Sequence, residues 1–148
     1  IQDYHRFHFP VSGVVKEIRN IAEQDAVGGI ITWDPSIPRY MLDCTVPSWQ
    51  AIETRGCVII DTEDFGLVAV LPIGMSQICS VKFENNIQVG TRVKKGDMMG
   101  CFLFGGSDIV MIFQPGAGFE LEPSGGMNGQ SYQHILMGEK YGVLTVSK

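Results

Sequence analysis

Short apolar runs, each closed by Gly, Asn or Asp, set what this chain can fold into. Val11–Ile18, Cys57–Asp61, Leu67–Ile73, Ile78–Phe83, Arg92–Val93, Met98–Phe104, Asp108–Phe113 and Gly142–Val146 are rich in Val, Ile and Phe. Such residues suit a pleated, half-buried surface. No window longer than about two turns carries a helical period. Asp64-Phe-Gly66 and Asn85-Asn86 read as turns between strands. Ala26–Gln50, with three prolines and both tryptophans, reads as a long packed loop, and the Gly-rich Phe119–Gln130 as another loop. The expectation is a mainly β, antiparallel domain with long loops and little helix. At 148 residues it is a single domain with room for a real core.

The net charge of −5 argues against a broad nucleic-acid footprint. Cys44, Cys57, Cys79 and Cys101 form no C-x-x-C pair and read as small buried groups in a reducing compartment. No apolar run is long enough to span a bilayer as a helix, and no signal peptide is visible. The chain begins at Ile1 within a motif-like stretch, so the expectation is the C-terminal part of a longer protein. The expected location is the cytoplasm, with peripheral contact at a membrane.

Chemistry concentrates at two places. The first is Gly105-Gly106-Ser107, between two strand-like runs. The glycines free the backbone before a hydroxyl that can attack its own preceding carbonyl. A Gly-Gly-Ser turn is the plain alternative. Self-attack needs a base, because a serine hydroxyl alone is a weak nucleophile. The second place is Tyr4-His5-Arg6-Phe7-His8-Phe9-Pro10, which holds two of the three histidines. On a strand, residues three apart face opposite sides, so His5 and His8 point differently. A His-x-x-His metal site is the alternative, but further ligands at usable spacing are wanting, and no metal is expected. His134 takes no role. Lys94 and Lys95 lie within Val89-Gly-Thr-Arg-Val-Lys-Lys-Gly-Asp97 and read as solvated surface charges. That V-G-x-x-V-x-x-G-D pattern resembles the lipoyl and biotinyl carrier domains. It implies a barrel-sandwich-like architecture, with a non-catalytic carrier module as one functional alternative.

Tyr4–Gly13 resembles the Tyr-His-Arg-x-His-x-Pro-x-x-Gly motif of phosphatidylserine decarboxylases. Gly100-Cys-Phe-Leu-Phe-Gly-Gly-Ser107 resembles their Gly-x-Phe-x-x-Gly-Ser processing site. Lys94–Gly100, Ile135–Gly142 and the Gly74-Met-Ser region fit the same family. The resemblance implies one catalytic domain over 1–148 within a proenzyme that cuts itself between Gly106 and Ser107. The small chain is then 107–148, and Ser107 becomes a covalent pyruvoyl cofactor. By the same resemblance, His8 is the general base of self-cleavage and His5 serves substrate and protonation. The pyruvoyl carbonyl forms a Schiff base with the substrate amine and acts as an electron sink.

The implied reaction takes phosphatidylserine to phosphatidylethanolamine and CO2. A soluble branch of the family decarboxylates free amino acids, aromatic ones included, and Ile73–Ile78 looks closer to that branch. The implied partners are a phospholipid or amino-acid substrate and further copies of the chain, without nucleic acid. Two departures stand out. The family's serine-activating aspartate lies upstream of the residues present, and neither Asp3 nor Asp108 is an assumed substitute. Asp108 stands where relatives carry a small residue after the serine.

Overall fold

The computed structural model describes residues 4–22, 30–43, 49–51, 53–74, 80–103, 108–122 and 135–146. Its strands are β1 (Arg6–His8), β2 (Gly13–Ile21), β3 (Ile30–Asp34), β4 (Arg39–Asp43), β5 (Arg55–Asp61) and β6 (Leu67–Ile73). They continue as β7 (Val81–Phe83), β8 (Arg92–Val93), β9 (Met98–Phe102), β10 (Asp108–Phe113), β11 (Ala117–Leu121) and β12 (Gly142–Val146). Among the described residues the helical content is one 3-10 turn at Trp49–Ala51. Every strand pairing among the described residues is antiparallel. The expectation of a mainly β, antiparallel fold with little helix therefore stands.

A five-stranded sheet runs β10-β6-β5-β2-β8, and a three-stranded sheet runs β1-β9-β7. One apolar core joins them. Val15, Val58, Ile60, Val68 and Val70 come from the larger sheet, and Phe7, Val81, Met99 and Phe102 from the smaller. Burying each such side chain fully contributes about 1.5–3 kcal/mol. The sheets touch where Gly56 of β5 lies under Val81 and Phe83 of β7. A Cβ on Gly56 would stand 2.4 Å from the Phe83 ring. Gly100 of β9 is likewise bare because the Phe7 ring and the Lys82 carbonyl occupy the space a Cβ would need.

The turns form as their residues direct. Thr62 closes the β5–β6 hairpin by donating its hydroxyl to the Gly66 carbonyl and accepting from the Phe65 amide. Asp97 accepts from the Lys94 amide across the Lys94–Asp97 turn, leaving Lys94 and Lys95 exposed.

Two expectations are corrected. The stretch read as a long loop contains the β3–β4 hairpin, with Trp33 opposite Tyr40 and Ile31 opposite Leu42. Its prolines at 35 and 38 fall in the turn, not in the strands, and the Asp34 carboxylate accepts from the Ser36 amide and hydroxyl there. The second loop begins in a strand. Phe119 lies within β11, opposite Leu144, and stacks on Phe113 of β10 at 4.2 Å. The Tyr141 hydroxyl donates to the Met111 sulfur at 3.0 Å, and burial pushes its pKa up. Thus the β11–β12 hairpin is seated on β10.

The β5–β6 hairpin also carries the clearest pH effect. The Glu63 amide donates to Asp61, and Lys16 pairs with the same carboxylate at 3.3 Å, so the Asp61 pKa is lowered. Arg92 lowers the Glu63 pKa through a 2.7 Å ion pair. A depressed carboxylate pKa stabilises the fold above the unfolded value and loses that contribution as pH falls through the folded value. Thermal unfolding should therefore move to lower temperature as pH drops below about 4.5, the upper unperturbed value. Asp61→Asn should shrink that shift. Glu63 is exposed and Asp61 half-exposed, so the shift should be small and should weaken in salt.

Candidate functional site

Several strand ends meet at one end of the two sheets. β9 ends at Phe102 beside Val81, the first residue of β7. The Phe102 amide donates to the His5 carbonyl at 2.9 Å, which ties the start of the histidine motif to this same end. In the facing sheet, Asp108, the first residue of β10, pairs with Ile73, the last of β6, and Ile73 pairs with Arg55, the first of β5. The ladder continues one step further, with the Gly74 amide donating to the Thr54 carbonyl at 2.8 Å. Gly105, Gly106 and Ser107 lie outside the described residues. Their described neighbours on both sides, Leu103 and Asp108, belong to this end of the molecule.

Asp108 is fixed by its surroundings. Its Oδ1 accepts from the Ile109 amide, and its Oδ2 accepts a long 3.4 Å contact from Gln50 in the 3-10 turn. Six successive pairs, Asp108–Phe113 with Val68–Ile73, then carry the chain along β6. A cut before Asp108 would leave this ladder and the β11–β12 hairpin in place. A group formed from residue 107 would thus stay attached to a strand anchored in the sheet.

The two histidines are separated. β1 is antiparallel to β9, with Arg6 opposite Cys101 and His8 opposite Met98. His5 is therefore at the end of β9 that leads to Ser107, and His8 is at the far end. Both ring nitrogens of His8 are engaged. Nδ1 donates to the Gly96 carbonyl at 2.8 Å, so Nε2 accepts from the Tyr4 hydroxyl at 2.7 Å, with the Tyr4 ring stacked 5.7 Å away. The bulge between Phe7 and His8 turns the imidazole toward the Lys94–Asp97 turn.

Glu53, which the sequence did not single out, is fully buried two residues before β5. Local sequence offers little sign of this, since Thr54 and Arg55 separate Glu53 from the apolar run Gly56–Ile60. Cys57 is buried, and burial raises its thiol pKa. Cys44, Cys79, His134 and most of Ile73–Ile78 lie outside the described residues. No helix among the described residues is long and apolar enough to cross a membrane.

A family model described as phosphatidylserine decarboxylase matches residues 1–143. The chain belongs to the phosphatidylserine decarboxylase family. Its relatives include phosphatidylserine decarboxylase proenzyme 2 of Komagataella phaffii, 36% identical over 76% of this chain and 10% of that protein. The phosphatidylserine decarboxylase proenzyme of Chlamydia trachomatis is 33% identical over 76% of this chain and 34% of its own length. That of Fusobacterium nucleatum is 29% identical over 95% of this chain and 43% of its own length. The chain thus spans less than half the length of these relatives. It shares with them a family whose members are named proenzymes.

Proposed function

We propose that this chain is the catalytic domain of a pyruvoyl-dependent decarboxylase that converts phosphatidylserine to phosphatidylethanolamine and CO2. The observation that carries the reading is the convergence at one end of the fold. There the histidine motif is bonded to the strand entering Gly-Gly-Ser107, and the strand leaving Ser107 is anchored in the facing sheet. In self-cleavage the Ser107 hydroxyl attacks the Gly106 carbonyl, and the peptide bond becomes an ester after its nitrogen leaves as an amine. The pyruvoyl group that follows supplies a carbonyl electron sink for the charge left when CO2 departs.

By the motif resemblance His8 is the base of this attack, taking the Oγ proton and returning it to the departing amine, while His5 serves substrate and protonation. The Gly96 carbonyl accepts from His8 Nδ1 at 2.8 Å, which leaves Nε2 as the accepting nitrogen of that ring.

The test is CO2 release by the full-length protein, offered vesicles containing phosphatidylserine or free amino acids including aromatic ones. The expected result is release from phosphatidylserine and none by Ser107→Ala. Release from a free amino acid alone would move the substrate to the soluble branch of the family. Release unchanged by Ser107→Ala would remove the pyruvoyl mechanism.

A further inference from the structure

We propose that a cleft on the smaller sheet binds a small zwitterion, its anionic group on Arg6 and its primary ammonium on Glu84. The cleft has a volume of about 390 Å³ and lies beside Met98, at the end of β9 opposite Phe102. Pockets that hold small ligands begin at about 300 Å³. Its apolar lining is Phe9, Ile87, Val93 and Met98. Its frame is main chain held on both sides of Met98. The Phe9 amide donates to the Asp97 carbonyl at 2.9 Å, and the Glu84 amide donates to the Met99 carbonyl at 3.0 Å. The Glu84 carbonyl also accepts from the Ile87 amide at 3.2 Å, which closes the turn after β7. The segments that supply the two charged groups are thus fixed before a ligand arrives, so little ordering is needed on binding.

Two arginines and two carboxylates line the cleft, and one of each is already engaged. Arg92 is paired with Glu63 at 2.7 Å, and an Asp97 oxygen accepts from the Lys94 amide. Arg6 and Glu84 form no ion pair among the described residues. The Arg6 guanidinium donates to the Met98 sulfur at 3.4 Å, a weak acceptor. Strand alternation explains its position: Phe7 turns into the core, so Arg6 turns out. The Glu84 residue is half-buried, and its hydrogen bonds are those of its main chain. A carboxylate partly withdrawn from water is stabilised by an N–H cation. A planar guanidinium with five donors suits a carboxylate or phosphate gripped by two bonds. One cation and one anion in a single cleft, not joined to each other, fit a molecule that carries both opposite charges. Two kinds of molecule share this chemistry: a free α-amino acid and a phosphoethanolamine head group.

The experiment titrates the full-length protein, labelled at its Met and Ile methyls, with L-leucine and separately with O-phosphoethanolamine, and follows the Met98 and Ile87 signals by NMR. Both side chains line the cleft, so the dissociation constant they report belongs to it whether or not Ser107 is processed. At least one ligand should shift these signals saturably. Leucine alone identifies a free amino acid, O-phosphoethanolamine alone a head group, and both together a site that reads only the shared charges; each supports the proposal. Glu84→Gln and Arg6→Gln should each weaken binding about 10-fold or more, the effect of losing one charge-assisted contact. Lys95→Gln, a charge removed outside the cleft, should bind as the wild type does. The same ligands without their ammonium, N-acetyl-L-leucine and ethyl phosphate, should bind the wild type about 10-fold more weakly, a comparison that needs no variant to fold. The absence of a saturable shift with either ligand overturns the proposal. So does wild-type affinity in Glu84→Gln or Arg6→Gln, an equal loss in Lys95→Gln, or undiminished binding of the ligand that lacks its ammonium.

Discussion

His8→Ala should leave the full-length protein largely uncut, while His5→Ala should still process. Loss of a positioned general base typically costs about 10²–10⁴-fold in rate, which converts a chain that matures during synthesis into one that persists as precursor. The His8 ring is bonded on both sides, to the Gly96 carbonyl and the Tyr4 hydroxyl, so its orientation is set, whereas the described contact of His5 with β9 is made by its main chain. Processing time courses by gel and intact mass distinguish the cases. Arrest in His5→Ala with normal processing in His8→Ala would exchange the two roles.

The second large effect is on stability. Phe7→Ala should destabilise the full-length protein by about 3–5 kcal/mol, the usual cost of emptying a buried aromatic site. Phe7 is 2% exposed, meets Phe102 at 4.9 Å and presents its edge to Phe83 at 6.1 Å. It thus packs β1 against side chains of both other strands of the smaller sheet, Phe102 of β9 and Phe83 of β7. Gly100→Ala should also destabilise, because the added methyl would stand 2.2 Å from the Lys82 carbonyl and 2.7 Å from the Phe7 ring. Overpacking of this kind costs about 1–3 kcal/mol, and the backbone carbonyl can yield only by opening the β7–β9 ladder. Combining the two changes should cost less than their sum, since removing the ring vacates part of the space the methyl needs. Urea unfolding of the single and double variants measures this. Strict additivity would contradict the contact.

Much of this architecture was legible in the chain. Leu67–Ile73, Arg92–Val93, Asp108–Phe113 and Gly142–Val146 are strands over the same residues that their β-branched and aromatic content marks out. Asp64–Gly66 turns between β5 and β6 as its composition indicates. β1 was harder to see as a strand, because only three residues pair and a bulge interrupts them. β3 and β4 were hidden by prolines that the hairpin confines to its turn. β11 was hidden because a five-residue strand with one glycine gains its stability from Phe113 and Leu144, partners that local sequence does not reveal.

The candidate site was legible as residue types and not as an arrangement. Gly-Gly-Ser107 and the two histidines announce a nucleophile and a base, but how the two imidazoles stand to one another depends on strand direction. An antiparallel β1–β9 pair with a bulge places His5 and His8 at opposite ends of one strand, which spacing alone does not show. Glu53 escaped notice for a related reason. An acidic residue before an apolar run reads as a surface charge until the fold buries it.

The central claim is that the chain cuts itself at Ser107 and converts that residue into its own cofactor. Intact mass of the purified full-length protein tests it most directly. The expected result is two chains that meet between Gly106 and Ser107, the smaller one beginning with a pyruvoyl group in place of serine. A single uncut chain, or a small chain that retains its N-terminal serine, would contradict it.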